Sequence, residues 1–273
     1  TADTSIASGE YFNIRQSLEG QDVQQLKKGT SSAEKVTVSF YVKGNASATY
    51  LLELSDQDNT RYNGQTFAVT TSWNRIVLTY NGDTSGVLDN DNARSLDINF
   101  WLGSGTNFTS GTLATSWASV TSANRAVGQV NLGDNTSNDW RITGVQMEVG
   151  PVATPFEHRS YGQELQLCKR YFHKVGGSAY CNIATVTNFT TGGMLGPFHH
   201  PVEMRAAPSV TKSGDWAVLG GDTTVHQTVV SSDSNGKVSE IGFANGSGGT
   251  SGRSATLRFS NNADAYLHWD AEL

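Results

Sequence analysis

Apolar residues recur at every second position in segment after segment of this 273-residue chain, a period that fits strands with one buried face and not amphipathic helices. In Lys35–Lys43, Val36, Val38, Phe40 and Val42 fall on one side, and Thr37, Ser39, Tyr41 and Lys43 on the other. Leu96–Leu102 repeats the pattern, with Leu96, Ile98, Phe100 and Leu102 inward and Asp97, Asn99 and Trp101 outward. Tyr50, Leu52 and Leu54 mark another strand, as do Ile76, Leu78 and Tyr80. Asn63-Gly64 and Asn81-Gly82 read as tight turns, because both residues tolerate positive φ. Trp140 and Ile142 alternate in one phase and Val145, Met147 and Val149 in the other, so a bulge is expected at Thr143-Gly144. Short strands at this spacing predict an all-β chain built on a β-sandwich or jelly roll.

All five prolines lie between Pro151 and Pro208, which sets a linker at about 150–160. Ser160–His173 reads as a helix. Ser160 and Gln163 fit a capping box, and Leu165, Cys168 and Phe172 share a face, so the helix is expected to join two β domains. Further strands are expected at Tyr180–Thr187, Trp216–Leu219, Val225–Val230, Lys237–Asn245, Ala255–Phe259 and Ala265–Trp269. Asn235-Gly236 reads as a turn and Ala244–Ser254 as a surface loop.

Ser, Thr, Asn and Gly supply 107 of the residues, charged residues only 16%, and the formal net charge is −6. That balance offers no attractive field for nucleic acid or anionic lipid, and no apolar run approaches a membrane span. Cys168 and Cys181 make no zinc spacing, and a chain this long needs no disulfide. The five Asn-x-Ser/Thr triplets read as turn chemistry in a chain so rich in these residues.

Catalytic signatures are missing: there is no GxSxG elbow, phosphate loop, HExxH or GxGxxG, so a non-enzymatic role is expected and no cofactor is implied. Calcium is the one ion with a candidate site, since Asp83, Asp89 and Asp91 supply hard oxygen ligands; the competing reading is an Asx-rich turn. His199-His200 reads as a loop pair, because neighbours in an extended strand point to opposite faces. Tyr41 and Trp101 fall on the faces opposite their apolar sets. Outward aromatics can stack on a sugar ring, with Asp97 and Asn99 binding its hydroxyls; burial by another subunit or the second domain is the alternative. Tyr266 and His268 alternate with Leu267 and Trp269 in the same way.

Several runs carry a family likeness. They are Asn124–Leu132, then Asn138-Asp139-Trp140-Arg141-Ile142-Thr143-Gly144-Val145-Gln146-Met147-Glu148-Val149-Gly150, Ala153-Thr154-Pro155-Phe156-Glu157-His158-Arg159 and Cys168-Lys169-Arg170-Tyr171-Phe172. With Ser17–Gly20, Leu26–Gly29 and Met204–Pro208, they resemble a widespread group of bacteriophage virion proteins. The resemblance implies a jelly roll similar to carbohydrate-binding modules over 1–155, a linker and helix over 156–175, and a smaller C-terminal β-sandwich, the fibre tip, over 176–273. It implies the C-terminal part of a longer tail-fibre protein in the virion, a homotrimer whose partners are its own copies, other virion proteins and a host surface glycan. Two other readings stand beside it: a purely structural head fibre or tail adaptor, and a carbohydrate-binding module of a secreted glycan hydrolase.

Overall fold

The structure, a computed structural model, describes every residue except 191, 192, 215, 220–224, 227, 228, 245–250, 261 and 262. For 189, 190, 218, 219, 225, 226, 229–234, 243 and 244 it describes the backbone alone. The protein is all-β and divides into two compact units, Thr1–His158 and Arg159–Glu272. Among the described residues no helix is long and apolar enough to cross a membrane.

Unit 1 is a jelly-roll sandwich of eight strands: β1 (Tyr11–Glu19), β2 (Val36–Gly44), β3 (Ala48–Asp56), β4 (Arg61–Val69), β5 (Asn74–Tyr80), β6 (Arg94–Ser104), β7 (Ala118–Ser119) and β8 (Trp140–Val149). Five form one antiparallel sheet in the order β1-β6-β3-β4-β7, and three form the other, β5-β2-β8. Val36, Val38, Phe40 and Val42 of β2 face Leu96, Ile98, Phe100 and Leu102 of β6 across the core, as the alternation predicts. Phe40 meets Phe67 and Phe100 edge-on, at ring distances of 5.0 and 5.1 Å. Edge-to-face contact matches the ring quadrupoles and fixes the spacing of the sheets.

The bulge falls where the sequence phase slips: the β2–β8 register shifts between Ser39 and Tyr41, and Gly144 takes φ +60°. Asn63-Gly64, by contrast, is no turn. It lies inside β4, because Gly64 donates its N–H to the Ala114 carbonyl (2.8 Å) and a Cβ there would meet Leu113 at 3.0 Å. The glycine serves the close approach of a covering segment and does not reverse the chain. Asn81-Gly82 likewise makes no hairpin; it leads from β5 into a loop, where a Cβ on Gly82 would strike the Ala33 carbonyl.

Both sheets of unit 1 are partly covered on their outer faces. Residues 105–128, including the short helix α1 (Thr106–Thr109), lie over the five-stranded sheet, where Leu51, Trp101 and Ala126 form a second small core with Phe108 and Leu113. Residues 150–157 strap the three-stranded sheet: Thr37 Oγ1 donates to the Gly150 carbonyl (2.7 Å), and Arg75 donates to that of Thr154. Thr37 and Ser39 are therefore buried although they face outward.

A buried charge cluster closes one end of the unit. The Lys28 ammonium, almost wholly enclosed, lies against the Asp56 carboxylate, Asp83 Oδ2 (3.0 Å) and the carbonyls of Ser85 (3.1 Å) and Gly86 (3.0 Å). Arg61 grips Asp83 bidentately at 2.7 and 3.0 Å.

Unit 2 begins with α2 (Tyr161–Lys169). Ser160 caps it: its Oγ accepts from the Gln163 N–H, and Gln163 Oε1 accepts from the Ser160 N–H. The helix is shorter than its pattern suggests, because Phe172 and His173 are taken by a strand, β9 (Phe172–Gly176), whose five residues pair in register with β18 (Tyr266–Asp270). With β12 (Ser209–Ser213) these form a three-stranded sheet, β12-β18-β9. The facing sheet has seven strands: β10 (Asn182–Thr190), β11 (Gly193–His199), β13 (Trp216–Leu219), β14 (Val225–His226), β15 (Val229–Ser234), β16 (Val238–Ala244) and β17 (Ser254–Phe259). Their order is β14-β13-β17-β10-β11-β16-β15. Leu267 and Trp269 pack from one sheet against Trp216, Leu257 and Phe259 from the other. Asn235-Gly236 does turn a hairpin, with Asn235 Oδ1 accepting from the N–H groups of Lys237 and Val238 at 2.9 Å. The loop expected at 244–254 falls largely outside the described residues. Cys168 and Cys181 are both free thiols.

Removing the ammonium would leave two enclosed carboxylates sharing one guanidinium. Lys28→Met should therefore lower the stability of unit 1 by about 3–5 kcal/mol, read as a fall in the denaturation midpoint of the full chain.

Candidate functional site

The residues expected to bind sugar are not gathered into one site. Tyr41 stands on β2 of the three-stranded sheet, whereas Asp97, Asn99 and Trp101 stand on β6 of the five-stranded one. Tyr41 keeps 39% of its surface, beside the strap residue Phe156, which also lies against Gly144. Trp101 does point away from the main core, as its alternation requires, but only 1% of it is exposed. Tyr11 and Phe108 lie on its ring at 5.4 and 5.6 Å, and the Arg125 guanidinium stacks at 5.2 Å. Asp97 is buried in a bidentate pair with Arg94, and Asn99 donates to Glu53 Oε1 at 3.1 Å. Trp101 and Asn99 pack beneath the 105–128 cover and Asp97 is held within its own strand; they are not an open stacking platform. Leu51, directly opposite Trp101 in register, is the sequence sign of that second core.

Glu53 is the centre of this arrangement and was not singled out by its sequence. It is fully buried, and burial pushes its carboxyl above the usual range, opposed by Arg125, Asn99 and Trp101. Arg125 Nε donates to Oε2 at 2.9 Å and its terminal nitrogen to Oε1 at 2.5 Å.

No cation site forms from Asp83, Asp89 and Asp91. Burial raises the Asp83 carboxyl, but Arg61, Lys28 and the Ser85 N–H outweigh it and hold it below the ordinary carboxylate range. Asp91 accepts from the Ala93 N–H in an Asx turn (2.9 Å), and Asp89 is exposed. Among the described residues no group of three or more His, Cys, Asp or Glu side chains is disposed to hold a metal ion.

His199 and His200 do diverge. His200 turns inward, its Nε2 within 3.0 Å of Ser239 Oγ, and meets His173 edge-on at 6.4 Å. His173 lies beside the stacked pair of Trp269 and Phe198, close to parallel with each ring (5.5 Å, 13° and 5.7 Å, 28°). Burial first, then the neighbouring His200 and Lys169, pull the His173 imidazole down to about 4; burial and His199 lower that of His200.

One partly open face belongs to the three-stranded sheet of unit 2. His173, Val175, Leu267 and Trp269 point into the core, so Phe172, Lys174, Tyr266 and His268 point out. Register places His268 between Lys174 and Thr211, Tyr266 between Gly176 and Ser213, and Asp270 between Phe172 and Ser209. The Tyr266 and His268 rings are parallel at 5.4 Å (5°), and Phe172 adjoins His268 at 5.1 Å. Lys174 Nζ lies over the Tyr266 ring at 4.3 Å. Gly176 takes φ +132°, and a Cβ there would strike the Ala265 carbonyl and the Tyr266 backbone, so glycine is what lets the neighbouring strand lie close. The result is a row of three aromatic rings flanked by the hydroxyls of Ser209, Thr211 and Ser213. Tyr266 and His268 were legible from their alternation. Phe172 was not, because its spacing had assigned it to the helix.

Two outcomes are expected. Arg125→Met, which strands the Glu53 charge, should cost about 3–5 kcal/mol in equilibrium denaturation. In unit 2, unfolded histidines take up protons below about pH 6.5 that the folded His173 refuses until about 4. Calorimetry of the full chain should therefore show stability falling as pH drops between those values, with a shallower slope in His173→Phe.

A scan against protein-family models and a search of curated proteins each return no match. Among solved structures, native recombinant discoidin II of Dictyostelium discoideum is similar over 89% of this chain and 76% of its own, with 14% identity and a TM-score of 0.20. Wild-type discoidin II from the same organism is similar over 89% and 75%, with 15% identity and a TM-score of 0.19. Scores this low carry neither a site nor a ligand over to this chain.

Proposed function

We propose that this chain is a non-enzymatic glycan-binding protein, the C-terminal part of a bacteriophage tail fibre or appendage, and that the outer face of β9, β18 and β12 meets a host surface glycan. The observation that carries the reading is the row Phe172, His268 and Tyr266, held at the surface among Ser209, Thr211 and Ser213. Aromatic rings offer a sugar its C–H contacts, while hydroxyls, an imidazole and the Lys174 ammonium serve its oxygens. The neutral polar composition supports the same reading, since hydroxyl-rich surfaces suit uncharged ligands. The virion assignment draws on the resemblance of residues 124–172 to phage proteins, and a homotrimer would multiply weak individual sites into avidity.

A second reading has its own support. Tyr11, Phe12 and Ile14 are exposed on β1, which is an edge strand of its sheet. An apolar edge favours contact with another protein chain, as in a purely structural virion component.

Glycan-array binding tests the first reading. Tyr266→Ala and His268→Ala should each weaken glycan capture about tenfold or more, and capture should change little as salt rises, because few of the groups are ionic. Undiminished binding by both variants would remove the face from the mechanism. A monomeric mass for the natural full-length protein by light scattering would remove the trimer.

A further inference from the structure

One end of the unit 1 sandwich carries a half-open cavity of about 220 Å³. Its walls are the turn from β2 to β3 at 44–48, Val69 at the end of β4, and the segment 130–139 that leads into β8. The walls are fixed by bonds of their own. Asn45 donates its N–H to the Asp139 carbonyl (3.2 Å) and accepts the Asp139 N–H on Oδ1 (2.9 Å). The Val130 N–H donates to the Thr49 carbonyl at 3.0 Å, and Asn138 Nδ2 to Asp134 Oδ1 at 2.7 Å. The site is therefore organised before a ligand arrives, which lowers the entropy lost on binding.

Tyr50 lines this cavity. Only 4% of it is exposed, its ring is wedged by Phe67 (6.3 Å) and Trp140 (6.2 Å), and its hydroxyl makes no hydrogen bond to the described residues. The hydroxyl thus keeps its hydrogen-bonding capacity free for a ligand. Burial and the nearby Asp134 carboxylate both push its ionisation up, so it remains a donor.

The unspent capacity of the other lining groups specifies the ligand. Asn45 Nδ2 and Tyr50 can donate, Asp134 Oδ2 and Asn138 Oδ1 can accept, and Ser47 can do either. Mixed donors and acceptors suit hydroxyl groups, each of which plays both parts. The Asp134 carboxylate opposes anions, and the lining offers too few carboxylates for a bare divalent cation. The volume lies below the roughly 300 Å³ at which sites for drug-sized ligands begin, so it admits one ring. We propose that this cavity binds a single neutral pyranose residue, with Asp134 accepting from its hydroxyls and Tyr50 donating to one of its oxygens. The ligand class rests on the glycan reading above; the site is separate from the sheet face of unit 2.

Amide NMR of the full chain tests it, using methyl glycosides of glucose, galactose, mannose, N-acetylglucosamine and rhamnose at up to about 50 mM, beside ethylammonium chloride and inorganic phosphate. At least one glycoside should shift the amides of 44–48 and 130–139 saturably, with a dissociation constant of about a millimolar. Asp134→Asn and Tyr50→Phe should each weaken it about tenfold. Tyr50→Phe should leave the melting temperature where it was, because the lost hydroxyl bonds nothing in the fold. Tyr266→Ala should leave these shifts unchanged, so that failure at the unit 2 face and failure here are told apart. The proposal is overturned if no glycoside moves those amides, if ethylammonium or phosphate alone does, or if both pocket variants bind like the parent chain.

Discussion

Glu53 brings a fully buried charge into the middle of the five-stranded sheet, and Arg125 answers it. Much of unit 1 follows from that pairing. Arg125 belongs to the segment that covers the five-stranded sheet, so the ion pair fastens cover to sheet at the point where separation would cost most. Once the cover is fixed, Trp101 has Arg125 and Phe108 on its ring, Leu51 is sealed, and Gly64 donates its N–H to the Ala114 carbonyl of the cover. A sheet that would otherwise present one polar face becomes a middle layer.

That layering explains which parts of the fold could be read from the residues. The inward faces were plain, because Val36 to Val42 and Leu96 to Leu102 alternate at the strand period and pack where the period puts them. The bulge at Gly144 and the cap at Ser160 were equally plain, each being a local rule with a local cause. Exposure was not legible. Period two says which way Trp101 and Asp97 point but not what lies above them, and the covering segments are held by pairings such as Glu53 with Arg125, 72 residues apart. Asn63-Gly64 misled for the same reason, since its glycine lies within a strand beneath Leu113 of the cover and makes no local reversal.

Both units divide their aromatic residues between inside and outside. Unit 1 buries Trp101, Phe40, Phe67 and Phe100 and leaves Tyr11, Phe12 and Tyr41 exposed, and unit 2 divides one strand between two environments: Trp269 and Leu267 seal the core while Tyr266 and His268 line the outside. The same division appears among the histidines. His173 is neutral and stacked in the interior, and His268 stands in the outer row. A surface of rings and hydroxyls therefore rests on a core of rings, and a change on one side of β18 need not disturb the other.

The enclosed Lys28 ammonium occupies the kind of position that many folds give to a bound metal, ringed by two carboxylates and two carbonyl oxygens. An ion held there would be in exchange with its surroundings and would leave on dilution or chelation. A cation carried on the chain cannot leave. That end of the sandwich is thus closed by a charge that the chain itself carries.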